Sequence, residues 1–238
     1  APAGIYAMAR QFRTPIRQTR QAFDSLLTPI VAKTLSADGP SATATAIASA
    51  TRMILAIQLA LVLALIVAGE PVLRWFGPEF VGGYLATVLL GAAETIQGAY
   101  SITDLLLLYL RARLALLVTL VMSAVNLVAA VPLIFAFGID GAALSVLIAF
   151  VSGAVSRRLL LRTRFAVSTP LLHSAGPLFA GAVAAAIGVV AHRYVSEGAP
   201  VSHHAAVLAV VRAVYGGVSL AWQRITGESW QLSGFRGA

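Results

Sequence analysis

The chain has 238 residues, of which 59% are hydrophobic and 11% are charged, and its mean hydropathy is +0.87. A soluble protein of this length could not bury so much apolar surface, so composition places the chain in the membrane class. It has no cysteine, which excludes disulfide scaffolds, thiolate metal sites and cysteine nucleophiles. The formal net charge is +8, but the arginines lie between apolar runs, which indicates membrane orientation rather than nucleic-acid binding.

The first predicted element is a long helix over residues 5–35 that carries an arginine stripe. At about 100° per residue, its four arginines fall within an arc of roughly 80°, and Asp24 falls in the same arc. Pro15 and Pro29 lie inside the helix and each removes a backbone donor, which predicts kinks. The arginines of this stripe are Arg10, Arg13, Arg17 and Arg20.

Six further segments are apolar and long enough to cross a bilayer, whose core of about 30 Å needs roughly 20 helical residues. These segments are residues 49–69, 83–110, 114–137, 142–161, 174–194 and 202–225. The joins contain turn residues: Asp-Gly-Pro within residues 36–41, Gly-Pro and Gly-Gly within residues 76–83, and Gly-Ile-Asp-Gly at residues 138–141. The sequence therefore predicts an all-α, polytopic membrane protein with about seven transmembrane helices. Five lie within residues 1–165, and two more, followed by a short tail, lie within residues 166–238.

The positive charges of the joins are distributed unevenly between the two sides of the predicted bundle. By the positive-inside rule, the richer side is cytoplasmic, which places the carboxyl terminus in the cytoplasm and runs the first helix from outside to inside. The richer side holds Lys33, Arg52, Arg111, Arg113, Arg157, Arg158, Arg162, Arg164, Arg224 and Arg236, and the other side holds Arg74 and Arg193.

A second polar stripe has the same spacing as the arginine stripe. It lies in the predicted helix over residues 83–110 and consists of Glu94, Gln97, Ser101 and Asp104. A charge within the hydrocarbon costs at least about 2.5 kcal/mol on insertion scales, so both stripes are expected to avoid lipid. Opposite charge at matched spacing predicts that the two stripes line one polar interior.

Short motifs follow one another along the first two thirds of the chain. They are Gly-Ile-Tyr-Ala-Met-Ala at residues 4–9, Trp-Phe-Gly-Pro-Glu-Phe at 75–80, Asn-Leu at 126–127, Pro-Leu-Ile at 132–134, and Phe-Gly-Ile-Asp-Gly-Ala-Ala at 137–143. In this order they resemble the polysaccharide flippases, whose superfamily also contains the multidrug and toxin extruders and the lipid II flippases. The resemblance extends over residues 4–161.

The resemblance implies a transporter of two helical lobes that moves lipid-linked oligosaccharide from the cytoplasmic to the outer leaflet of the bacterial inner membrane. On that template the chain corresponds to the carboxyl-terminal lobe and two further helices. A truncated copy is therefore expected, with an amino-terminal lobe as its missing partner. No enzymatic activity and no cofactor are implied.

Two hypotheses follow for the charged residues. In the first, the four arginines of the stripe bind the pyrophosphate and acidic sugars of a polyprenyl-pyrophosphate-linked glycan, because guanidinium groups hold phosphate oxygens in a fork. Alternatively, the stripe pairs with Asp24, Glu94 and Asp104, or its side chains reach the membrane interface. In the second, Glu94 or Asp104 couples transport to an ion or proton gradient. The alternative is a fixed ion pair with the arginine stripe.

Other functions are weighed against the flippase. A drug extruder of cationic cargo should present carboxylates, whereas four arginines favour an anionic cargo. A multidrug-extrusion-type or lipid II-type transporter half and an inactive membrane subunit remain alternatives. A membrane-embedded glycosyltransferase is disfavoured, because no loop is long enough for the extramembrane domain that such enzymes usually carry. We expect no metal site, because the adjacent His203 and His204 would point about 100° apart on a helix. We also find no phosphate loop of the Walker type and expect no nucleic-acid partner.

Overall fold

The computed structural model describes residues 2–165, 179–186 and 201–226, and these ranges contain helices and no strand. The all-α prediction is therefore confirmed for this part of the chain. The predicted span over residues 174–194 is described only at 179–186, and the predicted tail, Arg193 and Arg236 lie outside the described residues. The elements are α1 (Pro2–Phe12), α2 (Thr14–Phe76), a 3-10 helix (Pro78–Gly83), α3 (Tyr84–Phe165), α4 (residues 179–186) and α5 (Val201–Thr226).

The predicted first helix is interrupted at Arg13, where α1 ends and α2 begins. Arg13 keeps right-handed helical angles (φ −77°, ψ −14°), so the interruption does not reverse the chain. The cause is Pro15, which lacks an N–H and is best accommodated in the first turn of a helix. The predicted helix over residues 5–35 is thus interrupted beside Pro15, one of the two positions where a kink was expected, while α2 continues through Pro29 without interruption.

The two ends of α2 lie side by side, although its residues are helical from Thr14 to Phe76. Gln58 Nε2 donates a hydrogen bond to Ile16 O at 3.1 Å across 42 residues, which a straight helix would separate by about 63 Å. Residue 37 is halfway between them, so the reversal coincides with the predicted turn over residues 36–41. The predicted loop at residues 36–41 is wrong, because these residues are helical. We refer to residues 14–35 and 50–76 as the first and second arms of α2.

Two backbone interruptions divide α3 into three arms. Arg111 is extended (φ −158°, ψ 96°), and Gly138 has a positive φ (φ 59°, ψ −126°) that favours glycine because a side chain would be strained there. The arms are residues 84–110, 112–137 and 139–165. Each corresponds to one of the helices predicted from the sequence, to within a few residues at the ends.

The three arms of α3 pack together and against α2. Arg157 in the third arm bonds to Asp104 in the first and to Met122 in the second, which places all three arms side by side. Helix α5 packs on the second arm of α2, where the Tyr215 hydroxyl donates to Ala56 O at 3.1 Å. The first arm of α3 carries the buried Glu94, and α3 contacts both α1 and α2.

The surface of this bundle is strongly apolar. Among the described residues, the stretches long and apolar enough to cross a membrane are Ala50–Phe76, Pro78–Ser101 and Thr103–Phe165. The last includes the second and third arms of α3, and Ala205–Ala221 is a shorter apolar helix. Large apolar side chains point outward from the second arm of α3, and Phe135 is 88% exposed.

Candidate functional site

One glycine just before the first arm of α3 and one within it bring the two predicted polar stripes together. A Cβ at Gly83 would contact Ile5 of α1, and a Cβ at Gly91 would contact Ile16 of α2. Because these positions lack side chains, α1 and the first arm of α2 lie directly on α3. The arginine stripe therefore faces the stripe of Glu94, Gln97, Ser101 and Asp104 at close range.

Arg13 and Glu94 join the two stripes. Arg13 Nη1 lies 3.1 Å from Glu94 Oε1, and Glu94 is only 3% exposed. The pair connects the interruption between α1 and α2 to the first arm of α3. Its burial makes it a strong constraint on the position of Arg13, since removing one partner would leave a buried charge uncompensated.

Three of the four stripe arginines line one cleft, which we call the arginine cleft. Its volume is about 270 Å³, and its lining residues include no carboxylate. Arg10 and Arg17 form no ion pair with any described residue, and Arg17 Nε is buried without a hydrogen-bond partner there. The cleft therefore presents two unpaired guanidinium groups beside the paired Arg13. Its lining residues are Ala7, Arg10, Gln11, Arg13, Thr14 and Arg17.

Arg20 belongs to a different cavity, so the four arginines do not form one site. Ten residues of helix separate Arg10 from Arg20 by about 15 Å, too far for both to hold one small headgroup. Arg20 instead pairs with Asp24 one turn later, at 3.5 Å from Arg20 Nη1 to Asp24 Oδ2. The predicted arc is consistent with this arrangement, but spacing around a helix does not limit the distance along it.

Asp104 pairs with Arg157 rather than with the arginine stripe. Arg157 Nε donates to Asp104 Oδ1 at 2.9 Å and its Nη2 donates to Oδ2 at 3.3 Å. Arg157 Nη1 also donates to Gln97 Oε1 at 3.5 Å. Glu94 and Asp104 are thus both held in ion pairs, but only the pair of Glu94 is with the arginine stripe, as the alternative to gradient coupling expects.

Sequence reasoning missed Arg157 as a buried residue. It counted Arg157 among the loop arginines, whereas the side chain is 1% exposed, and Arg52, counted likewise, is 6% exposed. The available signal was position, since Arg157 falls inside the predicted span over residues 142–161. Without these two, the count on the richer side falls from ten to eight against two, so the direction of the bias is unchanged.

The chain matches no family model, no curated protein and no solved structure. The flippase resemblance therefore depends on the short motifs alone.

Within the described ranges, no cluster of three or more histidine, aspartate or glutamate side chains could hold a metal ion.

Proposed function

We propose that this chain is a polytopic membrane protein that forms one lobe of a transporter for anionic, lipid-linked oligosaccharides. The arginine cleft is the observation that carries the proposal. The cleft presents guanidinium groups that have no ion-pair partner among the described residues, and it lies in a bundle whose outer surface is apolar. The motif resemblance to polysaccharide flippases names the class of cargo.

The outer surface supports a membrane location. Soluble monomers rarely expose large contiguous apolar patches. Here Leu127, Val128 and Phe135 project from one arm that is itself 26 residues long (112–137), more than the roughly 20 residues that span a bilayer core. The bias of positive charge among the joins supports a cytoplasmic carboxyl terminus, and the motif resemblance supports a location in the bacterial inner membrane.

The charge of the arginine cleft favours an anionic cargo over a cationic drug. Two guanidinium groups with no counter-ion among the described residues are costly in a membrane protein, and a bound pyrophosphate would compensate them. Guanidinium also remains charged and donates paired hydrogen bonds to phosphate oxygens. Arg10 and Arg17 would contact the ligand. Arg13 lies between them in the sequence, and its charge is already paired with that of Glu94.

A charge reversal tests the proposal in the source organism. We expect deletion of the gene to trap lipid-linked oligosaccharide on the cytoplasmic side, and the unchanged gene to restore export. Arg17→Glu should reduce export at least about tenfold, because a charged hydrogen bond worth about 1.5–3 kcal/mol is replaced by repulsion. The measurement is the amount of oligosaccharide accessible from outside the cell.

Arg162→Glu is the matched control, since Arg162 is exposed and lies outside the arginine cleft. It makes the same change in net charge and should leave export unchanged. Equal amounts of each variant in the membrane must be shown by immunoblot. Undiminished export by Arg17→Glu would contradict the proposed role of the cleft.

A further inference from the structure

A second cavity, of about 440 Å³, lies between the first arm of α2 and the first two arms of α3, and we call it the lateral cavity. One wall is polar and the other is apolar. Such a division is typical of a site for an amphiphile rather than for a soluble ion. The polar wall includes Arg20, Asp24 and Asp104, and the apolar wall includes Leu108, Ala112 and Leu116.

The two ion pairs at the polar wall differ in how completely their atoms are bonded. Arg157 donates two hydrogen bonds to Asp104 and a third to Gln97. Arg20 and Asp24 approach only to 3.5 Å. Arg20 Nε and Asp24 Oδ1 have no hydrogen-bond partner among the described residues. The second pair therefore retains a donor and an acceptor that no described protein group satisfies.

The charge of the lateral cavity also differs from that of the arginine cleft. Arg20 and Asp24 cancel, and Asp104 is neutralised by Arg157 behind it. A site of zero net charge, in which the opposite charges of Arg20 and Asp24 lie side by side, suits a zwitterion better than an anion. The side chains of Asp24 and Asp104 are 27% and 35% exposed, so both carboxylates are accessible from the cavity.

The apolar wall leads to the outer surface. Leu108 and Leu116 line the cavity and are 51% and 60% exposed, so the cavity opens sideways onto the apolar face of the bundle. A ligand with its polar group between Arg20 and Asp24 would leave this face with an attached hydrocarbon chain. The opening therefore fits a lipid that enters laterally from the membrane.

We propose that the lateral cavity binds a zwitterionic phospholipid with a primary amine, of the phosphatidylethanolamine type, as a resident lipid distinct from the transported cargo. Arg20 donates to the lipid phosphate, and the ammonium donates to Asp24 and Asp104. The acyl chains lie over Leu108 and Leu116. The inference depends on the membrane location proposed above but not on the identity of the cargo.

Thermal unfolding of the purified full chain in detergent tests this proposal. Phosphatidylethanolamine at saturating concentration should raise the unfolding midpoint by about 5 °C. Phosphatidylcholine, whose trimethylated amine cannot donate a hydrogen bond, and the anionic phosphatidylglycerol should each raise it by less than half as much. Soluble phosphoethanolamine should give no comparable shift, because it lacks the chains that cover the apolar wall. Equal shifts by the three lipids, or a full shift by soluble phosphoethanolamine, would overturn the proposal.

Variants locate the effect in the lateral cavity. Asp24→Asn should abolish the advantage of phosphatidylethanolamine, whereas Glu70→Gln, which alters an ion pair of the same spacing with Arg74 elsewhere, should retain it. Ala112→Leu fills the apolar wall from an exposed position and should also abolish the advantage without requiring a change in a charged residue.

Retention of the full lipid preference by Asp24→Asn and Ala112→Leu would contradict the assignment. A loss in both would support it, even if one of them lowered the unfolding midpoint without lipid. Binding of polyprenyl pyrophosphate should be unaffected in Ala112→Leu, which separates this inference from the proposed cargo site.

Discussion

Replacement of Asp104 by alanine is expected to lower the free energy of unfolding by about 3 kcal/mol. Arg157 is 1% exposed, and Asp104 supplies both of its charged hydrogen-bond acceptors. Removing one partner of a buried ion pair typically costs about 3–5 kcal/mol, because the other charge stays buried without compensation. We expect the lower end of this range, since Asp104 is partly open to the lateral cavity. Unfolding by sodium dodecyl sulfate in mixed micelles, followed by circular dichroism, measures the change.

A double variant separates the lost charge pair from the lost side chain. Asp104→Ala combined with Arg157→Met removes both charges and keeps an apolar stem in the place of Arg157. The double variant should be more stable than Asp104→Ala alone, because no charge is left buried. If Asp104→Ala is as stable as the unchanged protein, the pair does not hold the first and third arms of α3 together.

Replacement of Gly98 by alanine is expected to destabilise the bundle by about 1–3 kcal/mol through overpacking. A Cβ at this position would lie 2.6 Å from the amide carbon of Gln58 and inside van der Waals contact with its nitrogen and oxygen. The amide cannot move aside freely, because Gln58 is fully buried and its Nε2 donates to Ile16 O. The same mixed-micelle titration measures the loss.

Gly216→Ala is the matched control for this substitution. Gly216 lies inside α5, and a Cβ there would meet no atom within 4 Å. Alanine is a better helix former than glycine by up to about 1 kcal/mol, so the control should be neutral or stabilising. Combining Gly98→Ala with Gln58→Ala should cost less than the sum of the two single variants. Equal effects of Gly98→Ala and Gly216→Ala would show that the contact between Gly98 and Gln58 is unimportant.

The helices were largely predictable because apolar length is a strong local signal. The sequence places turns near residues 36–41 and 138–141, and the chain reverses at both. Pro15 predicted a kink in the first helix, but not that the helix would be interrupted at Arg13, where the chain continues in helical conformation on both sides. Whether a proline bends or interrupts a helix depends on the packing of α1 against α3, which no local pattern records.

The sequence identified the charged residues of the candidate site, but not how they are divided between the arginine cleft and the lateral cavity. Matched spacing correctly places the arginine stripe opposite Glu94, because residues at three- and four-residue steps share a helix face. It does not show that Arg20 faces a separate cavity, since this depends on distance along the axis. The pairing of Asp104 with Arg157 joins residues 53 positions apart through two chain reversals, so only the tertiary structure identifies it.

The most direct test of the central claim is the binding of polyprenyl pyrophosphate to the purified protein, measured by isothermal titration calorimetry in detergent. Polyprenol of the same length is the uncharged control ligand, and Arg162→Gln is the control variant. We predict that the pyrophosphate binds at least about tenfold more tightly than polyprenol, and that Arg17→Gln removes this preference while Arg162→Gln keeps it. Equal affinity for the two lipids, or an unchanged preference in Arg17→Gln, would contradict the assignment of the arginine cleft as the anion site.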